Sequence, residues 1–273
     1  MTGEWNADSY HRVSNPHVNW GVAVLEQLPL AGDEVVVDLG CGTGRLTAML
    51  LERLPRGRVV AIDRSANMTH AAHEYLGPLF PSRVDVVMAD ATAVPVAGAA
   101  DAVFSTATFH WVLSHEALFA SIFSALKPGG RLVAQCGGGR NLERVHERTD
   151  RLLGAPEFRD YFTQFQKPWN YADSDSTAGR LTAAGFVDVS TGLESSPVRF
   201  GDAASFAEFV TTVICRPYVA CLPDARTRDA FIGSLTREAA ADDPPFELDY
   251  WRLNMRARKP GGSSGSRRSE APR

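Results

Sequence analysis

The stretch Val35-Val36-Val37-Asp38-Leu39-Gly40-Cys41-Gly42-Thr43-Gly44 constrains the fold of this chain more than any other. Its β-branched run reads as a buried strand. Glycines at alternate positions follow at once, with no side chains to hold a ligand off the backbone. The helical pattern Leu46, Met49, Leu50, Arg53 then begins. Strand, glycine turn and helix start make a nucleotide-type site, with backbone N–H groups facing a ligand. A tight structural turn is the competing reading.

A dinucleotide turn has the spacing G-x-G-x-x-G, so that a pyrophosphate sits on the helix end. Here the spacing is G-x-G-x-G, followed by Arg45, and Asp38 ends the strand. A carboxylate there repels a pyrophosphate but suits an ammonium group. S-adenosylmethionine has one, with a carboxylate that the helix end can hold. The same spacing speaks against the alternative of a nicotinamide-dependent dehydrogenase.

The following strand tips are also acidic. Arg58-Val59-Val60-Ala61-Ile62 ends in Asp63, placed to accept both ribose hydroxyls or to cap the next helix through Ser65. Met68, in the first turn of that helix, lies against an adenine ring or fills the core. Val84–Met88 runs into Asp90, which can accept from an adenine amino group or sit in a solvated loop. Asp101–Thr106 leads into Ala107-Thr108-Phe109-His110-Trp111. Ligands of such sheets bind outside the carboxyl ends of the strands, so His110 and Trp111 point at the group the cofactor reacts with. A helix from Ser114 stops at Lys127-Pro128-Gly129-Gly130, and a strand over 131–135 follows. This alternation predicts an α/β chain with a parallel sheet covered on both faces.

With 273 residues the chain fits one large domain, or a domain with a cap. A net charge of -4 gives no electrostatic case for nucleic acid or an anionic membrane. No apolar run approaches the roughly 20 residues of a membrane helix. The polar, aromatic start is not a secretory signal. Cys41, Cys136, Cys215 and Cys221 form no CxxC pair, as expected of reduced thiols in a cytoplasmic protein. His70, His73 and Glu74 match a catalytic zinc pattern poorly, so no metal is expected.

Residues 1–29 read as an arm and a helix. The arm, with Trp5, Tyr10 and His11, is a surface staple or a lid; the helix starts at Pro16 and shows Val18, Val22, Leu25 and Leu28. Residues 30–200 form the core, with a helix over 142–153, an aromatic run (Tyr161, Phe162, Phe165, Trp169) read as packing, a helix over 177–184 and a strand at Val187–Val189. Residues 201–245 read as an inserted cap of two helices, 202–214 and 224–240, around Arg216-Pro217-Tyr218. Phe246–Arg256 reads as a closing antiparallel strand within 246–260, and 261–273 as a disordered Gly/Ser-rich tail.

The motifs Asp38–Gly44, Ile62-Asp63-Arg64-Ser65-Ala66-Asn67-Met68, Ala89-Asp90-Ala91 and Leu126–Gly130 together resemble the class I S-adenosylmethionine-dependent methyltransferases. The resemblance implies a Rossmann-like, doubly wound, seven-stranded sheet, mostly parallel with one antiparallel strand, plus a helical cap. It puts Gly40, Gly42 and Gly44 along the methionine moiety, Asp63 on the ribose, and Asp90 with Ala91 on the adenine. Asp38, Cys41, Thr43, Arg64, Met68 and Thr106 complete the cofactor set. Trp5-Asn6…Tyr10, Phe104–Trp111, Cys215-Arg216-Pro217-Tyr218…Leu222 and Tyr250-Trp251-Arg252-Leu253 are similar to trans-aconitate methyltransferase-like proteins, which esterify a small polycarboxylic acid. That likeness puts Tyr10 over the cofactor and His110 and Trp111 at the substrate; Trp20 is a further substrate candidate. His110 stands where it would place a glutamine, and Val13–His17 departs from its pattern.

A carboxylate acceptor, with a pKa of about 4, is already ionised at neutral pH and needs a cation rather than a base. Arg216 is the candidate cation, with His110 as a donor; a rim salt bridge is the other reading of Arg216. A phenol, amine or carbon acid would instead need His110 as general base. Ser105-Thr106-Ala107-Thr108 lacks the Asn/Asp-Pro-Pro of DNA amine methyltransferases. A small-molecule acceptor is expected, on a monomer or weak dimer; a non-catalytic cofactor-binding protein is the remaining class.

Overall fold

The computed structural model describes residues 15–262, with side chains from Asn19 onward. The expected arm, with Tyr10, and the tail beyond residue 262 lie outside the described residues.

The sheet order is β3-β2-β1-β4-β5-β9-β6, built from β1 (Val35–Leu39), β2 (Arg58–Asp63), β3 (Val84–Met88), β4 (Ala100–Thr106), β5 (Leu126–Gly137), β6 (Val187–Ser195) and β9 (Trp251–Arg258). β1 to β5 are parallel, and β9 runs antiparallel between β5 and β6. A separate ribbon pairs β7 (Val198–Arg199) with β8 (Glu247–Leu248). The helices are α1 (Asn15–Glu26), α2 (Arg45–Glu52), α3 (Ala66–Leu79), α4 (His115–Ala125), α5 (Glu143–Leu153), α6 (Ser174–Ala183), α7 (Ala203–Phe209), α8 (Arg216–Val219) and α9 (Ala225–Ala240). The expected seven-stranded, doubly wound sheet is present.

Two-residue alternation along the strands divides the core. Val36, Ala61, Phe104 and Val133 face α1, α2 and α3, whereas Val37, Ile62, Val103, Leu132 and Met255 face the side of α4 and α6. The strand order reverses between β1 and β4, and the crevice above that point is where such folds take ligands. A third cluster lies under the cap and joins Phe206, Phe209, Tyr218 and Phe231 to Leu142, Val145, Phe158 and Phe162. The apolar layer around the cap helices is therefore assembled from two separated stretches of chain. Arg148 Nη2 to Asp242 Oδ1, at 2.5 Å, ties α5 to the turn after α9.

Four local expectations are corrected. β5 starts at Leu126, which pairs with Ala100; Lys127–Gly130 bulges out before Arg131 rejoins opposite Ala102. β6 extends to Ser195, because a strand at the sheet edge tolerates the polar Ser190-Thr191-Gly192 that masked it. Phe246–Arg256 is not one strand: Asp249 accepts the Leu142 N–H through its carbonyl at 3.0 Å and the Arg144 N–H through Oδ2 at 3.1 Å, which breaks the run between β8 and β9. The helix expected over 202–214 ends as α7, and Val210–Ile214 widens into a π-turn closed by Cys215 N–H to Val210 O at 2.7 Å. All five residues of that run are β-branched, and such a run fits a regular helix poorly. Such turns recur at functional sites.

Candidate active site

A cavity of about 370 Å³ opens above the switch point. Leu39, Gly40 and Gly42 at the end of β1, Ile62, Asp63 and Arg64 at the end of β2, Ala89–Thr92 beyond β3 and Thr106–Thr108 at the end of β4 form its floor; Met68, Trp111–Ser114, Pro168 and Arg216 complete the wall. The size suits a small-molecule ligand, typically about 300–1,000 Å³.

The loop after β1 is pinned to the tip of β2. Gly40 and Cys41 donate to Ile62 O at 2.7 and 2.9 Å, and Gly42 donates to Asp63 Oδ2 at 3.0 Å. Gly40 has φ +83, and a methyl group there would overlap the Thr108 side chain. Gly42 has φ +55, and a Cβ on it would meet nothing within 4 Å. The chain thus leaves room at Gly42, beside the strand-tip carboxylate of Asp63. Asp63 Oδ1 also accepts from the Ser65 N–H at 2.9 Å, so this carboxylate steers the glycine loop and the start of α3 together. Burial raises its pKa. Asp90 takes both the Thr92 N–H and hydroxyl on Oδ1, at 2.8 and 2.7 Å, and these bonds lower its pKa.

Asp38 is placed differently from the expectation of direct contact with an ammonium group. It is 3% exposed, lies beneath the wall rather than on it, and accepts from Thr47 Oγ1 at 2.6 Å. Burial raises its pKa to about 7, against the Thr47 bond and with the help of the nearby Asp63 charge. Cys41, Thr43 and Gly44 also lie off the wall; Gly44 is the N-cap of α2, at φ +86 against Leu76. Gly40, Gly42, Asp63, Arg64, Met68, Asp90, Ala91, Thr106, Trp111 and Arg216 are brought together on it.

His110 faces a second, smaller chamber of about 40 Å³, which shares Ala107 and Trp111 with the first. Its Nδ1 accepts the Gly137 N–H at 3.3 Å, so the neutral ring carries its proton on Nε2. The other chamber residues include Asn141, His146, Trp169, Tyr171, Tyr250 and Arg252. None was singled out as a site residue from sequence. Tyr250 and Arg252 lie inside the family-like motif Tyr250–Leu253, and Trp169 reads as packing; Asn141, His146 and Tyr171 sit where no periodicity or spacing distinguishes them. Trp20 reaches this region indirectly, with its ring 5.0 Å from that of Tyr250 and under the Arg252 guanidinium at 4.6 Å. Burial lowers the His146 pKa to about 4, and the Lys167 charge adds to the shift.

A family model described as a methyltransferase domain matches residues 36–130. Phosphoethanolamine N-methyltransferase 2 of Haemonchus contortus, solved with phosphomonomethylethanolamine and S-adenosylhomocysteine, superposes with a TM-score of 0.61 at 19% identity, over 93% of this chain and 57% of that one. Fold, cavity and these likenesses define an S-adenosylmethionine-dependent methyltransferase acting on a small molecule. Trans-aconitate 2-methyltransferase of Paracidovorax citrulli is 32% identical over 88% of this chain and 91% of its own length. The namesake of Methylobacterium radiotolerans is 28% identical over 89% and 91%. The chain belongs to the trans-aconitate 2-methyltransferase family.

Proposed function

We propose that this enzyme esterifies a carboxylate of a small organic acid, and that trans-aconitate, for which its relatives are named, is the first acceptor to test. The lock on His110 carries this reading. With Nδ1 engaged by Gly137, the ring offers an N–H at Nε2 and has no basic nitrogen to spare for a substrate proton. His146, at about 4, is too weak a base to deprotonate a phenol with its pKa of about 10. A carboxylate needs neither, because no proton moves.

When bound, S-adenosylmethionine supplies an electrophilic methyl group on a sulfonium sulfur. In this reading the Gly40–Gly42 backbone carries the methionine end, Asp63 takes the ribose hydroxyls, and Asp90, Ala91 and Met68 hold the adenine. Arg64 and Thr106 border the same space. Asp38 acts from below, fixing the first turn of α2 through Thr47. Arg216 draws the acceptor carboxylate to the junction at Ala107 and Trp111, where His110 donates from the inner side. Holding the reacting oxygen in line can be worth as much as about 7–11 kcal/mol in the best model cases.

The test is methyl transfer from labelled S-adenosylmethionine by the purified chain, offered trans-aconitate, a phenol and an amine in parallel. Label on the acid alone supports carboxylate methylation. Label on the phenol or amine with the acid untouched overturns it and returns the chemistry to a general base.

A further inference from the structure

The motif Tyr250-Trp251-Arg252-Leu253 places a guanidinium in the interior. Arg252 is 2% exposed and lines the inner chamber. Its Nε donates to Gln135 Oε1 at 3.2 Å, Gln135 is held by Asn254 at 2.7 Å, and the guanidinium lies over Trp20 at 4.6 Å. Its position is thereby set by β5, β9 and α1 at once. A guanidinium fixed on three elements at a chamber wall gives that chamber a positive charge held in one place.

A second group in the chamber asks for the same kind of ligand. His146 stacks on Trp169 with centroids 4.8 Å apart, and its Nδ1 is 3.5 Å from the Tyr218 hydroxyl. Its Nε2 is buried with no hydrogen-bond partner among the described residues. Buried polar atoms are almost always satisfied, so an unsatisfied one on a cavity wall points to a group supplied from outside the chain. The chamber, at about 40 Å³, takes about three water-sized particles at about 10–15 Å³ each, the bulk of one carboxyl group. The π-turn contributes Val213 and Ile214 to this chamber, and Arg216, two residues beyond it, lines the donor cavity. One local irregularity thus serves both compartments.

We propose that the inner chamber binds an anionic group of the acceptor remote from the methylated oxygen, with Arg252 as its cation and His146 Nε2 as a second donor. This rests on the carboxylate reading above and adds to it the residues that select the acid. Trp111 and Ala107, common to both compartments, then mark where the reacting oxygen meets the methyl group.

The test is calorimetric titration of trans-aconitate into the full chain saturated with S-adenosylhomocysteine, for wild type, Arg252→Lys, Arg252→Met and His146→Phe, with crotonate as the acid that keeps one carboxyl only. Wild type is expected to bind trans-aconitate well above crotonate. Arg252→Met should weaken trans-aconitate by at least about 30-fold, the effect of removing one partner of a buried charge pair, and Arg252→Lys by less. His146→Phe, which keeps the stack on Trp169, should weaken it about tenfold and decides the matter alone if Arg252→Met does not fold. S-adenosylhomocysteine affinity should hold in every folded variant. Unchanged affinity for trans-aconitate in His146→Phe and in folded Arg252→Met, or a parallel loss of S-adenosylhomocysteine affinity, overturns the chamber assignment. Wild type that binds the acid through Arg252 but does not methylate it keeps the chamber and removes the esterification.

Discussion

The main-chain N–H of Gly137 donates to Nδ1 of His110 at 3.3 Å. Glycine suits position 137, since a Cβ there would lie 2.7 Å from Asn141 Nδ2 and 2.9 Å from the Tyr171 ring. The bond turns a potential base into a donor. Glutamine carries a donor at a similar reach, so His110→Gln should keep kcat/KM for the acid within about tenfold of wild type. Loss of general-base catalysis would instead cost about 100- to 10,000-fold. Steady-state kinetics of this variant decides between the two.

Gly40 and Gly42 should respond differently to alanine. Gly40→Ala drives a methyl group into Thr108 and strains a left-handed backbone, so the thermal midpoint should fall clearly, by about 1–3 kcal/mol of stability. Gly42→Ala meets no atom within 4 Å and should fold with a smaller loss, of about 1 kcal/mol. S-adenosylhomocysteine binding should nevertheless weaken about tenfold in Gly42→Ala, because its methyl group intrudes on the ligand. Denaturation and titration of both variants check the order.

Asp38 gives the ligand-free protein a pH dependence of definite sign. Its pKa rises from 3.8 to about 7 through burial, opposed by Thr47 and reinforced by Asp63. The folded chain holds that proton more tightly than the unfolded one. The resulting stability is fully present below about pH 4 and is lost as pH rises through about 7. The difference in thermal midpoint, wild type minus Asp38→Asn, should therefore fall between about pH 4 and about pH 7 and level off above that. A difference that grows with pH would contradict the buried setting.

Arg148 should matter for stability alone. Its side chain is 11% exposed and that of its partner Asp242 is 15% exposed. Arg148→Met leaves Asp242 with only the more distant Arg144, at 3.7 Å, and should cost about 1–3 kcal/mol in urea denaturation. Neither residue lines either cavity, so S-adenosylhomocysteine affinity should not change.

The sheet was legible in the sequence because its inner strands are apolar runs that end in acids and glycines, and those same ends build the donor cavity. Asp63, Asp90 and the glycine turn could be located from spacing alone. The depth of Asp38 could not, since it depends on Thr47, nine residues on, turning a hydroxyl inward. The acceptor side was opaque for a different reason. His146, Tyr171 and Arg252 come from distant parts of the chain and look like ordinary interior residues until the π-turn and β9 bring them around one chamber; His110 alone is marked beforehand, by its place at the tip of β4. Arg252 is visible only as part of a family-like motif, whereas Arg216, in Cys215-Arg216-Pro217-Tyr218, reads as the cation an acidic acceptor needs.

The nature of the bond formed tests the central claim most directly. Product from labelled S-adenosylmethionine and trans-aconitate is treated with mild hydroxide and the volatile fraction counted. Carboxylate methylation predicts that the label leaves as methanol. Label that stays on a non-volatile product, or no label on the acid from a chain that binds the donor, contradicts it.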